Sequence, residues 1–340
     1  MEHRQLSRTG VSVSKFCLGA MMFGAWGNPD HGESIRIIHT ALDAGINFID
    51  TADVYGQGES EEIVGKALAG GRRDDVILAT KFHNAMGDDP NQQGNSRRWI
   101  TRAVEDSLRR LGTDWIDLYQ VHRVDPRTDI EETLSALSDL VHQGKVRCIG
   151  TSTFPAGHIV EAQWVARDRQ LQRFVTEQPP YSILVRAVET DVLPTCSRHG
   201  MGVMSYSPLT GGWLSGRWRK NTGQQSSSRA SRLPERFDLA NPFNQRKLDA
   251  VEELAQLADQ TGITLIQLAI AFVLNHPAIT AALIGPRTME QLESQLTAAD
   301  VVLDAAVLDR IDEIVAPGTT LNPADNSFDN PALEPAARRR

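Results

Sequence analysis

Eight short segments rich in apolar and β-forming residues recur along the chain, and longer segments with apolar residues at helical spacing separate them. The eight are FCLG (16–19), INFID (46–50), VILAT (76–80), WIDLYQV (115–121), VRCIG (146–150), FVTEQ (174–178), VMSYS (203–207) and AALIG (281–285). Eight parallel strands joined by right-handed helical crossovers close most simply into a barrel. We therefore predict an α/β fold, a (β/α)8 TIM barrel, with an open doubly wound sheet as the alternative. No GxGxxG motif follows the first segment, which argues against the open sheet.

The separating segments have the pattern of amphipathic helices. One of them places four apolar residues on a single helical face, namely Ile100, Val104, Leu108 and Leu111. Several of these segments end at a glycine just before the next strand, at Gly45, Gly112, Gly144 and Gly200. Because glycine enters the left-handed conformation without steric cost, these positions predict helix C-termini.

Three regions lie outside the repeat. Residues 3–14, with a Thr-Gly turn, predict a β-hairpin that caps the barrel floor. Residues 216–243 are polar, basic and serine-rich, and they are longer than an ordinary connection, so we expect a mobile flap. An extra helix is predicted at 305–314. We interpret residues 1–318 as a single domain and residues 319–340, rich in Pro, Asn and Arg, as a loosely ordered tail.

The composition excludes several classes of protein. With 43 acidic and 35 basic residues the chain has a formal charge of -8, which gives no general attraction to nucleic acid or anionic lipid. Its three cysteines form no CxxC pair, so neither a disulfide framework nor a thiolate metal site is indicated. The N-terminus lacks an apolar signal segment, and no window approaches the ~20 apolar residues of a membrane span. We expect a cytoplasmic protein without a membrane, nucleic-acid or metal partner; its oligomeric state is not predicted.

Four ionisable side chains lie at or just after the ends of consecutive predicted strands. Asp50 ends the second strand and Tyr55 lies in the loop after it, Lys81 ends the third strand, and the fourth runs into His122. The C-terminal ends of barrel strands converge on one mouth, so we expect these four side chains to lie together. Asp53, in the same loop as Tyr55, is expected to cap a turn or face water.

Together the four side chains suit one kind of chemistry. A tyrosine has an ordinary pKa of ~10, and an ammonium group beside it, here that of Lys81, is expected to lower that pKa. Asp50 would keep the buried Lys81 charged and aimed. His122 would then hydrogen-bond a carbonyl oxygen and direct it toward the Tyr55 hydroxyl. The group predicts a site that protonates an oxygen atom as negative charge develops on it.

Seven further motifs follow one another along the chain: GINFIDTADVYGQGESEEIVGKAL, LATKF, DLYQVHRVDP, IGTSTF, EQPPYSIL, YSPLTGGWLSG and LIGPRTMEQL. In these motifs and their order the chain resembles an aldo-keto reductase over residues 3–300. The resemblance implies a (β/α)8 barrel that binds NADPH without a Rossmann domain and reduces an aldehyde or ketone to an alcohol by reversible hydride transfer. It implies a catalytic tetrad of Asp50, Tyr55, Lys81 and His122, with Tyr55 as the general acid.

The resemblance also implies a set of NADP(H)-binding residues. Ser152 and Gln178 would contact the nicotinamide carboxamide, and Tyr206 would stack on the nicotinamide ring. Thr153 stands where the family usually has Asn. The pyrophosphate would lie against the loop of Ser207, Pro208, Leu209 and Gly211, with Arg217 reaching the phosphates. The adenosine end would contact Gly285, Arg287, Gln291 and Gln295, where Arg287 can pair with a 2'-phosphate and favours NADP over NAD.

The resemblance leaves the substrate and the role open. Residues expected to line a pocket over the mouth are Met22, Phe23, Trp26, His83, Asn84, Trp213 and the 216–243 flap. Some members of the superfamily are accessory subunits of potassium channels with Asn in place of the active-site histidine, whereas this chain has His122. We predict an oxidoreductase of the NADP-dependent alcohol dehydrogenase type, with a cofactor-binding accessory subunit and a non-redox lyase or isomerase as alternatives. The carbonyl substrate and the physiological direction are not predicted.

Overall fold

Eight parallel strands close into the predicted barrel in the computed structural model, which describes residues 1–223, 225, 228–328 and 335–338. An antiparallel pair, β1 (His3–Gln5) and β2 (Ser12–Ser14), precedes the barrel. The barrel strands are β3 (Phe16–Gly19), β4 (Phe48–Asp50), β5 (Ile77–Phe82), β6 (Ile116–Val121), β7 (Val146–Ser152), β8 (Thr176–Gln178), β9 (Gly202–Ser205) and β10 (Ile279–Ile284). They are ordered as in the chain, and β10 pairs with β3 to close the barrel. The (β/α)8 prediction is confirmed.

Helices surround the barrel. In the part of the chain that the structure describes they are α1 (His31–Asp43), α2 (Glu59–Leu68), α3 (Arg97–Leu111), α4 (Ile130–His142), α5 (Ala156–Asp168), α6 (Val192–His199), α7 (Ser228–Arg232), α8 (Pro242–Thr261), α9 (Leu265–Asn275), α10 (Met289–Leu296), α11 (Ala305–Ile314) and α12 (Pro335–Arg338). The predicted extra helix is α11. Gly112 and Gly200 cap α3 and α6 in the left-handed conformation, as predicted. No single described helix is long and apolar enough to cross a membrane, although α8 and α9 pass that test as a pair bent by 93°.

The N-terminal hairpin closes one end of the barrel. Leu6 and Val13 are buried and pack in one cluster with inward-facing barrel residues such as Phe48 and Leu118. Burial of these apolar side chains holds the hairpin against the N-terminal ends of the strands. The prediction of a floor cap is confirmed, and the opposite, C-terminal end of the barrel remains as the place for a site.

The long segment after β9 contains a buried aromatic cluster. The rings of Trp213 and Trp218 stack with 4.2 Å between their centroids, and Phe237 packs against both. Trp213 is fully buried in this cluster, so the expectation that it lines the mouth is wrong. Its neighbours Trp218 and Phe237 belong to the same segment, which by its polar composition was not expected to form an apolar cluster. The serine-rich centre of the predicted flap, at 224 and 226–227, lies outside the described residues.

The first part of the predicted tail packs against the rest of the protein. Lys247 on α8 donates to Asp325 at 2.9 Å, and both side chains are buried. The expectation of a loose tail is therefore wrong for residues 319–327. Short polar side chains are typical of disordered segments, but here they form hydrogen bonds with buried groups. Residues 329–334 and 339–340 lie outside the described part of the chain.

A buried acidic cluster lies behind the loop that follows β4. Asp53 is fully buried, and its carboxyl oxygens make no hydrogen bond of good geometry to the described residues, with only the Val54 N–H close by. Its neighbour Glu61 on α2 is also buried but accepts hydrogen bonds from Thr80 at 2.6 Å and Arg110 at 2.7 Å. Burial, followed by the charge of Glu61, raises the pKa of Asp53 well above its ordinary value. The expectation that Asp53 caps a turn or faces water is wrong.

Substitution of Asp53 by Asn should change how stability depends on pH. Above the ordinary Asp value of 3.8, the unfolded chain loses a proton that folded Asp53 retains, so the stability of the parent falls as pH rises toward the raised folded pKa. Asn does not titrate. The melting temperature of Asp53→Asn should therefore increase relative to that of the parent between about pH 5 and about pH 8. Asp309→Asn, on exposed α11, is the control. A constant difference in melting temperature between Asp53→Asn and the parent across this pH range would contradict the raised pKa of Asp53.

Candidate active site

The pairing of strands brings Asp50 and Lys81 together inside the barrel. Asp50 on β4 lies opposite Ala79 on β5, and Ala79 faces the barrel interior. Since side chains alternate along a strand, Lys81 points to the same interior face. Its ammonium group donates to Asp50 Oδ2 at 2.5 Å and to the Thr51 carbonyl at 2.9 Å. Both side chains are almost fully buried.

Two glutamines complete the surroundings of Asp50. Gln120 Nε2 and Gln178 Nε2 each donate to Asp50 Oδ1 at 2.9 Å. The carboxylate thus accepts hydrogen bonds on both oxygens, which offsets part of the cost of burying its charge. Sequence reasoning missed Gln120, although it lies two residues before His122 on β6 and so shares its inward face.

Tyr55 begins a 3-10 helix after β4 and reaches the ammonium group of Lys81. Lys81 Nζ donates to the Tyr55 hydroxyl oxygen at 3.3 Å. Burial raises the pKa of Tyr55 above its ordinary value of 10.0, and the charge of Lys81 only partly opposes that rise. The predicted lowering effect of the Lys81 charge on this pKa is present, but removal of the phenol from water has the larger effect, so the net pKa is raised. Tyr55 is a protonated phenol at neutral pH.

Lys81 remains charged in this environment. Burial lowers the pKa of its ammonium group, but Asp50 and Tyr55 raise it by more, and the net pKa lies above the ordinary value of 10.5. A cation is therefore fixed beside a neutral phenol. If the phenol gives up its proton, the phenolate forms next to a positive charge that is already in place.

His122 faces Tyr55 as a neutral imidazole. The centroids of the two rings are 5.8 Å apart, and the rings pack edge to face. Burial, together with the charges of Lys81 and Arg123, lowers the pKa of His122 well below 6.5. Asn84 Nδ2 donates to His122 Nδ1 at 3.0 Å, so the single ring proton lies on Nε2. Asn84, predicted only as a pocket residue, thus fixes the tautomer that makes His122 a hydrogen-bond donor.

The residues predicted for the nicotinamide lie at the ends of three successive strands. Ser152 ends β7 and donates to the Gln178 carbonyl, at the end of β8, at 3.0 Å. Tyr206 directly follows β9, and its hydroxyl lies 3.2 Å from Thr153 Oγ1. Thr153 has a positive φ of 57°, a conformation unusual for a β-branched residue and easier for the family's Asn.

The loop predicted for the pyrophosphate has a tight backbone and two arginines beside it. Ser207, Pro208 and Leu209 lead into Gly211 and Gly212, which have φ of 66° and 103°. A Cβ at Gly211 would lie 3.2 Å from Arg229 Cδ, and a Cβ at Gly212 would lie 3.2 Å from Arg217 Nη2. Because these two glycines have no Cβ, the backbone of the loop can lie close to both arginine side chains.

Positive charge accumulates over that loop. Burial lowers the pKa of Arg229, and the charges of Arg232, Arg236 and Arg287 lower it further. Like charges gathered in this way repel one another and favour a bound polyanion. The residues present thus fit a dinucleotide with several phosphates.

The predicted adenosine-end residues lie after β10. Gly285 directly follows the strand, and Arg287 lies just before α10. The backbone N–H of Arg287 donates to Gln291 Oε1 at 2.9 Å, so this glutamine holds the chain ahead of α10. Gln295 is buried, with 6% of its side chain exposed, which leaves little of it for a ligand. Within the described residues no cluster of His, Cys, Asp and Glu could hold a metal ion.

Comparison with known proteins identifies the family. The family model described as "Aldo/keto reductase family" matches residues 15–316. The chain is 40% identical over 92% of its length to an uncharacterized oxidoreductase, YrpG, of Bacillus subtilis, covering 96% of that protein. It is 37% identical over 86% of its length to the aldo-keto reductase YhdN of the same organism, covering 87% of it.

A plant relative carries a different name. The chain is 36% identical, over 93% of its length, to a probable voltage-gated potassium channel subunit beta of Arabidopsis thaliana, and it covers 97% of that protein. The family model covers almost the whole barrel, and each of these relatives is matched over most of its length. The chain therefore belongs to the aldo-keto reductase family.

Proposed function

We propose that the protein is an NADPH-dependent reductase that converts an aldehyde or ketone to an alcohol, with Tyr55 as the general acid. The observation that carries the proposal is the buried chain of contacts from Asp50 through Lys81 to the Tyr55 hydroxyl. Its donor set suits proton delivery to an oxygen, since a neutral phenol and a neutral imidazole N–H face the same space.

The four side chains have separate tasks in this mechanism. When bound, the nicotinamide would supply a hydride for the carbonyl carbon. His122 Nε2–H orients the carbonyl oxygen, and Tyr55 transfers its hydroxyl proton to that oxygen. Lys81 stabilises the resulting phenolate by charge, and Asp50 keeps Lys81 protonated and aimed. In alcohol oxidation the same groups work in reverse, with Tyr55 as the base.

The proposed cofactor contacts follow the order of the strands. The nicotinamide would be held by Ser152, Gln178 and Tyr206. Gln178 Nε2 already donates a hydrogen bond to Asp50, so Gln178 Oε1 is the atom that would accept one from the carboxamide. The 207–211 loop, Arg217 and Arg229 would take the pyrophosphate. Arg287 would pair with the 2'-phosphate, which favours NADP over NAD.

The similarity to a protein named as a channel subunit supports a second candidate function. In this case the protein would bind NADP(H), turn over little and act through a partner protein. The neutral His122 opposite Tyr55 favours the reductase. Across a panel of aldehydes, ketones and sugars, the reductase should consume NADPH with at least one compound, whereas the accessory subunit should show little turnover with any of them.

Tyr55→Phe should abolish reduction while NADPH still binds. Loss of the proton donor should lower kcat by about a hundredfold to ten-thousandfold, measured as NADPH consumption with the best aldehyde of the panel. NADPH fluorescence on binding should be as in the parent. Tyr119→Phe is the matched control, because the buried Tyr119 hydroxyl has no hydrogen-bond partner among the described residues. Parental turnover in Tyr55→Phe would rule out the mechanism.

Arg287→Ala should weaken the binding of NADPH much more than the binding of NADH. Loss of a charge-assisted contact to the 2'-phosphate should raise the Kd for NADPH about tenfold or more, with little change for NADH. Titration of cofactor fluorescence measures both constants. Arg198→Ala, which removes an exposed charge at the C-terminal end of α6, is the control. Equal weakening of both cofactors would contradict the role of Arg287.

A further inference from the structure

Arg123 lies beside the catalytic groups with most of its guanidinium group unused. It follows His122 directly at the end of β6 and is half-buried. Its Nη1 donates to the His122 carbonyl at 2.7 Å and to Thr153 Oγ1 at 3.1 Å. Its Nε and Nη2 make no hydrogen bond to the described residues. Two donors on one edge of the guanidinium group are therefore available.

The positive charge of Arg123 forms no ion pair with the described residues, although it acts on Glu177 from a distance. Within the described residues no carboxylate lies at ion-pair distance from it, whereas the charge of Lys81 is matched by Asp50. The nearby Asp125 accepts from Arg127, Thr128 and the backbone. Glu177 accepts from Thr151 and the Phe154 N–H, and burial raises its pKa to about 7. The two contacts of Nη1 need a donor but not a cation, so the charge itself is unexplained.

The cofactor phosphates do not account for this charge. In the eight-stranded barrel β6 lies diametrically opposite β10, which precedes Arg287 and the adenosine end. The arginines that fit the pyrophosphate lie over the loop after β9, three strands away from β6. The carboxamide expected near Thr153 is neutral. Arg123 instead lies beside the reacting centre: its guanidinium group contacts the carbonyl of His122 and Thr153 Oγ1, which is 3.2 Å from the Tyr206 hydroxyl.

We propose that Arg123 is a substrate-binding residue that pairs with an anionic group carried by the carbonyl substrate. This inference rests on the proposed carbonyl reduction and narrows its substrate to aldehydes or ketones bearing a carboxylate or phosphate a short distance from the carbonyl. The free edge formed by Nε and Nη2 matches the two oxygens of a carboxylate. Half-burial excludes part of the water that would weaken this contact. The substrate would then be held at two points, by Arg123 and by the Tyr55–His122 pair.

The test compares two aldehydes of nearly the same shape, 4-carboxybenzaldehyde and its neutral methyl ester. The parent should reduce the carboxylate with a kcat/KM at least about tenfold higher than the ester. Arg123→Gln, which retains a donor for Thr153, should lower kcat/KM for the carboxylate about tenfold to a hundredfold more than for the ester, mainly through KM. Arg127→Gln is the matched control, since Arg127 is two-thirds exposed and paired with Asp125.

A binding measurement separates this inference from the proposed function. Calorimetry of the NADPH-saturated protein with 4-(hydroxymethyl)benzoate and with its methyl ester needs no turnover. The parent should prefer the carboxylate, and Arg123→Gln should lose that preference. Selective binding without any aldehyde reduction would overturn the proposed reductase and leave the anion site standing. Equal binding and equal kcat/KM for the two compounds in the parent, or equal losses in Arg123→Gln, would overturn the anion site and leave the reductase standing.

Discussion

The buried ion pair between Lys81 and Asp50 is the interaction on which the site depends. Two charges inside a barrel cost several kcal/mol each to remove from water, and only good geometry with further hydrogen bonds compensates for that cost. Here Gln120, Gln178 and the Thr51 carbonyl supply those bonds. The pair keeps Lys81 charged, and the charge of Lys81 opposes the rise in the pKa of Tyr55 that burial causes, which is the effect that the proposed proton transfer needs.

The charged groups around the mouth of the barrel lie at different strands. The ion pair lies on β4 and β5, and the arginines that fit a dinucleotide lie beyond β9 and β10. Arg123, which forms no ion pair with the residues that the structure describes, follows β6. Because neighbouring strands are fixed by their hydrogen-bonded ladders, the strands hold the ion pair in place and set where the segments that carry the arginines begin. The proposed cofactor and the proposed anionic substrate would then approach one reacting centre from different sides.

The sequence predicted the barrel and the meeting of the four catalytic candidates because both follow from local pattern. Eight β-prone segments at regular spacing define the strands, and the C-terminal ends of barrel strands bring Asp50, Lys81 and His122 to one mouth. The misses have a common physical cause. The burial of Asp53 and Trp213 and the packing of residues 319–327 depend on tertiary contacts, which periodicity does not show. The effect of Lys81 on the Tyr55 pKa was predicted, but the larger opposing effect of burial was not, because burial depth is a tertiary property.

Titration of Tyr55 itself tests most directly whether Lys81 controls the proton donor. The chain has four tyrosines, so 13C labelling of the tyrosine ring and assignment by substitution can isolate the Tyr55 signal in NMR spectra. In the parent its pKa should lie above 10.0, and in Lys81→Met it should rise further, because the charge that opposes the effect of burial is gone and Asp50 remains. A Tyr55 pKa that is unchanged or lower in Lys81→Met would contradict the account.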